Sequence, residues 1–246
     1  MGGPATHRMY LDTFDDAYRT DFTAEVVAVD GQQVVLDRTL FYPTGGGQPC
    51  DLGSMEGPTG RLEVQDVTGR GAVQHTVDAD HALSVGDEVQ GTIDWERRHA
   101  HMRMHTAQHL LSGLAYSLFE GARTVGNQIG ADRSRLDLRP VTLSEGELDL
   151  LREGFDAAVA ADIPLRMEVM QRQALIDEVG LERSNLDMIP ASVDEMRIIR
   201  IGDEVDVCPC AGTHVRSLGE LGRLGEVSVK SKGKGTKRLS YDLIQP

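Results

Sequence analysis

The chain of 246 residues has no run of ~20 apolar residues, the length a helix needs to cross a membrane. Its opening residues also lack the charged-then-apolar leader of a secreted protein. Both absences lead us to expect a soluble, cytoplasmic protein with no membrane partner. Cysteine is scarce: Cys50, Cys208 and Cys210 are an odd set, and the last two stand too close together for a disulfide scaffold. A reduced compartment and a metal role fit that usage better. Lysine is missing everywhere except Lys230, Lys232, Lys234 and Lys237. No internal repeat or low-complexity tract is evident. The glycine-rich segment around Gly45 is not followed by Gly-Lys-Ser/Thr, which excludes a P-loop.

What is present is mostly acidic. A formal net charge of -14 argues at first sight against a nucleic-acid partner, because phosphates are drawn to basic surfaces. Distribution matters more than the sum, since every lysine falls within the glycine-bearing segment from Val229 to Arg238. That segment reads either as a solvated hairpin or as a basic element that touches phosphates, with Lys230, Lys232 and Lys234 as its contacts.

Residues 1 to 20 have no clear period and read as an arm, with a strand near Thr6 to Leu11. From Phe22 the pattern turns to β. Ala24 to Val29, the turn dipeptide Asp30-Gly31 and Gln32 to Leu36 make a hairpin, and Arg61 to Val67, Ala72 to Val77 and Glu88 to Trp95 follow as short strands, the spacing of a small antiparallel barrel. Between them lies Thr44-Gly45-Gly46-Gly47-Gln48, whose glycines allow positive φ and close backbone approach to an anion or a ribose; on spacing alone it is as well a flexible loop.

Arg97 and Arg98 close this domain. A helix from about His99 to Phe119 then carries Met104, Leu111, Leu114, Ala115 and Leu118 as its buried stripe. Arg123 to Gly130 is polar and glycine-punctuated, and Ser134 to Leu138 alternates like a strand. Ser144 and Glu147 form a capping-box signature for a helix to about Ala161. Strands at Leu165 to Met170, Met196 to Ile201, Val205 to Val207, Gly225 to Val229 and Arg238 to Leu243, with a helix at Gln171 to Val179, mix without βαβ alternation. The fold class is therefore α+β: an N-terminal antiparallel β-barrel domain, residues 1–96, followed by an α+β domain, residues 97–246.

Chemistry concentrates in two short motifs. His101, His105 and His109 are spaced four apart, so any adjacent two share one helix face and can aim at a single point. About a hundred residues on, Cys210-Ala211-Gly212-Thr213-His214 repeats the spacing with a thiol and an imidazole, and Cys208 is a rival ligand to Cys210. Imidazoles with one thiolate are a donor set that suits Zn²⁺. Between His105 and His109 stand Thr106, Ala107 and Gln108, so the glutamate base of H-E-x-x-H proteases is absent.

Taken in order, Gly45-Gly46-Gly47-Gln48 with Asp51 and Gly53, then His105 and His109, then Cys210 and His214, resemble the alanyl-tRNA editing family, the AlaX proteins related to the editing domain of alanyl-tRNA synthetase. The resemblance runs from about Phe41 to the lysine segment. It implies that His105, His109, Cys210 and His214 hold one Zn²⁺ per chain in an editing domain, and that His101 is a helix-surface residue. It implies that Gly45, Gly46 and Gly47 contact substrate, with Thr44 and Gln48, and that Thr124, Asn127 and Gln128 fall among the polar residues of the reaction site. The implied activity is deacylation of tRNA(Ala) mischarged with serine or glycine. No aminoacylation motifs are read in the chain, so it would edit in trans. Threonyl-type editing, another metallohydrolase and a non-catalytic tRNA-binding zinc protein are the alternatives. Ala211 departs from the family, which commonly has glycine there.

Overall fold

In the computed structural model, the residues described are 4–58, 60–184, 186, 189–203 and 205–245. The chain forms two compact units, Met1–His101 and Met102–Pro246.

The first unit opens with strand β1, His7–Arg8, a single 3₁₀ turn at Met9–Leu11 and the four-residue helix α1, Phe14–Ala17, capped by Thr13. β1 pairs in parallel with β4, Arg38–Thr39. Six strands form a closed antiparallel barrel: β2 (Asp21–Asp30), β3 (Gln33–Leu36), β5 (Gly53–Gly57), β6 (Gly60–Thr68), β7 (Gln74–Val77) and β8 (Glu88–Ile93), in the order β2-β3-β7-β6-β5-β8. In β2, Phe22, Ala24 and Val26 turn inward while Asp21, Thr23 and Glu25 face out, the period of two that a one-sided core imposes. The strand β5 went unread in the sequence because its glycines and Glu56 dilute the alternation.

His75 is fully buried in this unit, 2.9 Å from Thr39 Oγ1 and 3.1 Å from the Val34 carbonyl. Burial pushes its pKa down from 6.5 to about 4, only partly offset by the Val34 carbonyl. The imidazole is thus neutral in the fold but protonates in the unfolded chain below about pH 6.5. Its contribution is fully present above that pH and is lost as pH falls from about 6.5 towards 4, on the order of 3 kcal/mol in all. Urea denaturation across that window should show the slope, and His75→Gln should flatten it. An unchanged slope in the variant would assign the acid sensitivity elsewhere.

The division between units falls inside helix α2, Trp95–Leu118. The helix starts before the expected His99, so Arg97 and Arg98 lie within it. Residues Met102 to Leu111 are all buried. The one-sided stripe is therefore a misreading: this stretch is enclosed on every face, and Leu118, assigned to the stripe, is 42% exposed. His101 is buried, not on the helix surface. A helix enclosed all round yet carrying Arg103, His105, Thr106, Gln108 and His109 must give each polar group a partner. Arg103 finds the carbonyls of Glu220 and Leu221.

Two antiparallel sheets complete the second unit. The first, in the order β14-β15-β10-β9, contains β9 (Arg123–Gln128), β10 (Ser134–Arg139), β14 (Arg223–Gly233) and β15 (Thr236–Ile244). The polar stretch at 123–130 is thus largely an edge strand, hidden in the sequence because packing on α2 demands polar partners. The second sheet orders β11 (Leu165–Gln171), β12 (Glu195–Ile201) and β13 (Asp206–Pro209). Helix α3, Glu145–Ala160, has the expected capping box of Ser144 and Glu147. Helix α4, Arg172–Val179, supplies Leu175 to a small core with Met196, Ile198 and Val207. The lysine segment is the β14–β15 hairpin, turning at Lys234 and Gly235 with positive φ at both.

Candidate metal centre

The two short motifs meet within the second unit. His105, His109, Cys210 and His214 each direct one donor atom into a common space, all four atoms within 4.8 Å of one another. Helix α2 supplies the first two, one turn apart, with ring centroids separated by 5.2 Å. The other two come from the turn after β13. Cys210 Sγ lies 3.6 Å from His105 Nε2 and 3.2 Å from His214 Nε2. A tetrahedral ion with bonds of about 2.3 Å to sulfur and 2.0–2.1 Å to nitrogen would set S···N edges of about 3.6 Å. The two S···N distances match such an ion to within a few tenths of an ångström, and all four donors lie close enough to converge on one.

The surroundings favour the ligand forms of these groups. Burial alone would raise the Cys210 thiol, but the imidazoles of His105 and His214 hold it well below its usual value. Burial keeps His214 neutral. His109 is driven the other way: burial opposes its charge, but Asp206 and Cys210 raise its pKa. Metal binding requires the thiolate and a free nitrogen on each imidazole, so a cation would take over the positive charge this cluster attracts.

Four residues orient the ligands. Asp206 Oδ2 accepts from His109 Nδ1 at 2.8 Å, leaving Nε2 for the cluster. Thr106 Oγ1 lies 3.1 Å from His214 Nδ1 and accepts from the Val215 amide. The Gly212 amide donates to Cys210 Sγ at 3.3 Å. Arg197 Nη1 donates to the carbonyls of Cys210 and Gly212 at 2.6 and 3.1 Å, bracing the turn. Ala211 is absent from the described residues with positive φ, so the family's glycine is not needed there. Asp206, Thr106 and Arg197 were missed in the sequence. Asp206 alone left a signal, lying two and four residues before Cys208 and Cys210 on an extended strand.

The close approach of α2 to β13 depends on Gly113, where a Cβ would sit 2.1 Å from the Val205 carbonyl. A helical glycine costs about 1 kcal/mol against alanine, and here it admits the neighbouring backbone. Asp206→Asn keeps the shape but removes the anion from His109. Metal affinity should fall about 10- to 100-fold, as for other carboxylates behind metal-binding histidines. Competition with a chromogenic chelator measures this; an unchanged affinity would reduce Asp206 to packing.

Beside the cluster lies a set of polar pairs. Ser112 and Thr124 hydroxyls are 2.8 Å apart, and Asn127 Nδ2 donates to Gln108 Oε1 at 3.3 Å. Ser112 stands three residues beyond His109, on the helix face that carries the histidines. Thr124 and Asn127 thus meet α2, whereas Gln128 is exposed and accepts from Arg135. Lys230, Lys232 and Lys234 are exposed on their hairpin.

In the barrel unit, the glycine-rich segment is a fixed tight turn. Gly45 and Gln48 exchange backbone hydrogen bonds, with positive φ at Gly46 and Gly47 as a primed hairpin turn requires. The Tyr42 hydroxyl donates to the Gly45 carbonyl. Thr44 is exposed and its hydroxyl accepts from the Cys50 amide, while Gln48 is buried. Asp51 and Arg98 form an ion pair with both side chains fully buried.

Comparison with known proteins gives two family-model matches: tRNA synthetases class II (A) over residues 11–97, and the threonyl and alanyl tRNA synthetase second additional domain over residues 196–240. The chain is 32% identical to the alanyl-tRNA editing protein AlaX-M of Methanosarcina barkeri, covering 94% of this chain and 97% of that protein. It is 33% identical to the AlaX-M of Saccharolobus solfataricus, over 96% and 98% of the two chains. It is also 35% identical to the alanine–tRNA ligase of Halorubrum lacusprofundi, over 97% of this chain but 26% of the ligase.

Proposed function

The chain belongs to the AlaX-M alanyl-tRNA editing proteins, and from that premise we propose that it is a trans-editing aminoacyl-tRNA deacylase. Its substrate is tRNA(Ala) carrying a wrong amino acid, chiefly serine and also glycine, and its setting is the cytoplasm. The observation that carries this reading is the cluster of three imidazoles and one thiol, assembled from both motifs in a chain that matches editing proteins nearly end to end. Residues 1–96 serve as the barrel domain and 97–246 as the editing domain.

We assign one Zn²⁺ per chain to His105, His109, Cys210 and His214; when bound, it supplies Lewis acidity toward the aminoacyl group. The protein's own part is positioning. Asp206 and Thr106 hold two of the imidazoles in orientation, and Arg197 fixes the turn that carries the thiolate. No carboxylate lies between His105 and His109, so the motif holds no general base of its own. Thr124 and Asn127, each hydrogen-bonded to α2, are the polar groups we assign to the amino-acid moiety. A hydroxyl partner for serine at Thr124 would reject alanine far better than an apolar wall could, because a polar site penalises the ligand that leaves it unpaired. Gln128 has a weaker claim, being exposed beside Arg135. Thr44, Gln48 and the amides of Gly45, Gly46 and Gly47 are the barrel's contribution to substrate contact; Thr44 and the glycines are the accessible part.

Deacylation assays with Ser-, Gly- and Ala-tRNA(Ala) test the reading. Serine should be released fastest, glycine more slowly because its small side leaves room for a water at Thr124, and alanine spared; equal hydrolysis of all three, or of none, would refute it. The lysine hairpin gives a second measurement. Replacing Lys230 and Lys232 by Gln and Lys234 by Asn, which tolerates positive φ, should lower the slope of log binding constant against log salt by about 2 to 3, near one for each phosphate that a lysine neutralises. An unchanged slope would remove the hairpin from the tRNA-binding surface.

A further inference from the structure

The lysine hairpin is one end of a broader charged surface. We propose that the outer face of the sheet β14-β15-β10-β9, from Lys230 across to Arg123, holds the phosphate backbone of the RNA substrate. This rests on reading the protein as a tRNA deacylase, and it carries the contact beyond the hairpin to Arg135 and Arg139 of β10 and Arg123 of β9.

Register decides which side chains share that face. On β10, Ser134, Leu136 and Leu138 are buried, so Arg135, Asp137 and Arg139 point outward. Residues directly opposite one another on antiparallel strands lie on the same side of the sheet. Asp137 stands opposite Arg238 of β15, which in turn stands opposite Lys230 of β14. Arg135 has Ser240 and Gln128 as its neighbours, and Arg139 has Arg123. Among these positions Asp137 is the one acid, in a chain with 39 Asp and Glu against 25 Lys and Arg. The face therefore runs against the composition. The inner side of β9 carries Thr124 and Asn127 against α2, so the edge strand joins this face to the residues assigned to the amino acid.

The arrangement costs the sheet stability, because like charges directly opposite one another repel. Lys230 faces Arg238, and Arg123 faces Arg139. Asp137 relieves the first pair by accepting from Arg238 at 2.7 and 2.8 Å. The second pair has no such relief. Arg123 donates to the Glu182 carbonyl and Arg135 to the Gln128 amide oxygen, and among the described residues Arg139 meets no carboxylate. Lys230, Arg123 and Arg139 are all exposed. Farther from the hairpin turn, Glu226 and Asp242 hold Arg133, and the uncompensated charge ends there. At about 4.8 Å per strand the cations spread over about 14 Å. A small anion would settle one pair, whereas a backbone of repeated phosphates settles them together.

The test measures binding of an unacylated tRNA(Ala) transcript to the full chain and to its Arg139→Gln and Arg139→Glu variants. Arg139→Gln should lower the slope of log binding constant against log salt by about 0.7 to 0.9, the value for one phosphate. Arg139→Glu should lower it further and weaken binding about tenfold or more at low salt. The same substitution sets a carboxylate opposite Arg123, so its melting temperature should stay level or rise. A merely structural arginine would not move binding and stability in opposite directions. Wild-type affinity and slope in both variants would overturn the surface while leaving the editing activity standing. Lost binding with a lower melting temperature in both would also overturn it, as the mark of a damaged sheet. A wild-type dimer in sedimentation that Arg139→Glu disperses would overturn it in favour of a second copy's acidic body, and equally tight capture on phosphatidylserine vesicles in favour of a lipid surface. A wild type that neither deacylates Ser-tRNA(Ala) nor binds the transcript would defeat the reading of the protein as a tRNA deacylase, and this proposal with it.

Discussion

His109→Ala should leave a folded protein that no longer retains a stoichiometric metal ion, with kcat/KM on Ser-tRNA(Ala) lowered by about a thousandfold, or about 4 kcal/mol of transition-state stabilisation. The size of the effect follows from how much converges on this one ring. His109 offers a donor to the cluster, ties that donor to Asp206, and stands on the buried stretch of α2. Losing a carboxylate behind a ligand costs about 10- to 100-fold in metal affinity, so losing the ligand itself must cost more. Asp206→Asn should therefore fall between wild type and His109→Ala in both affinity and rate. Chelation of the wild type should reproduce the His109→Ala rate, and circular dichroism should show that helix content persists. Wild-type turnover by His109→Ala at saturating substrate would sink the site assignment.

Asp51→Ala is expected to cost the barrel unit about 3–5 kcal/mol, the range for stranding a buried charge by removing its partner. The Arg98 side chain has no exposure, and its Nε lies 3.0 Å from both Asp51 oxygens. The same guanidinium donates to the carbonyls of Ala17 and Leu40, and Asp51 also accepts from the Tyr42 amide at 2.6 Å. One ion pair thus ties α1, the segment after β4 and the start of the glycine-rich turn to the first turn of α2. Removing the carboxylate leaves a cation with no solvent and only carbonyls to face. The double variant Asp51→Leu with Arg98→Met should be milder than Asp51→Ala alone, because no charge is left buried. Urea denaturation of the full chain measures both. A loss under 1 kcal/mol for Asp51→Ala would mean that water reaches Arg98 once the partner is gone.

The aspartate of the glycine-rich motif thus has a physical reason distinct from substrate contact. In the sequence it was legible only as a motif letter, since nothing local tells that Asp51 will meet an arginine 47 positions away. The triple glycine was legible as a place for positive φ, and Gly46 and Gly47 use it. Its rigidity was not, because that comes from the Gly45–Gln48 backbone pairing and the Tyr42 hydroxyl. Helix α2 shows the same limit from the other side. Its four-residue histidine spacing was plain, but a stripe of apolar residues suggested one buried face where the fold encloses every face from Met102 to Leu111.

Sequence by itself determined the periodic elements and the donors: barrel strands with alternating faces, the capping box of α3, and two pairs of ligands each spaced by four. These are local properties, set by the geometry of helix, strand and turn over a few residues. Spacing left open which of three helical histidines and which of two cysteines take part, and only the family resemblance chose His105, His109, Cys210 and His214; the tertiary structure brings those four together and alone decided that Asp206, Thr106 and Arg197 orient them. Those choices depend on distances between segments about a hundred residues apart. Such distances are fixed by how closely packed elements can approach, as Gly113 shows where α2 meets the Val205 backbone.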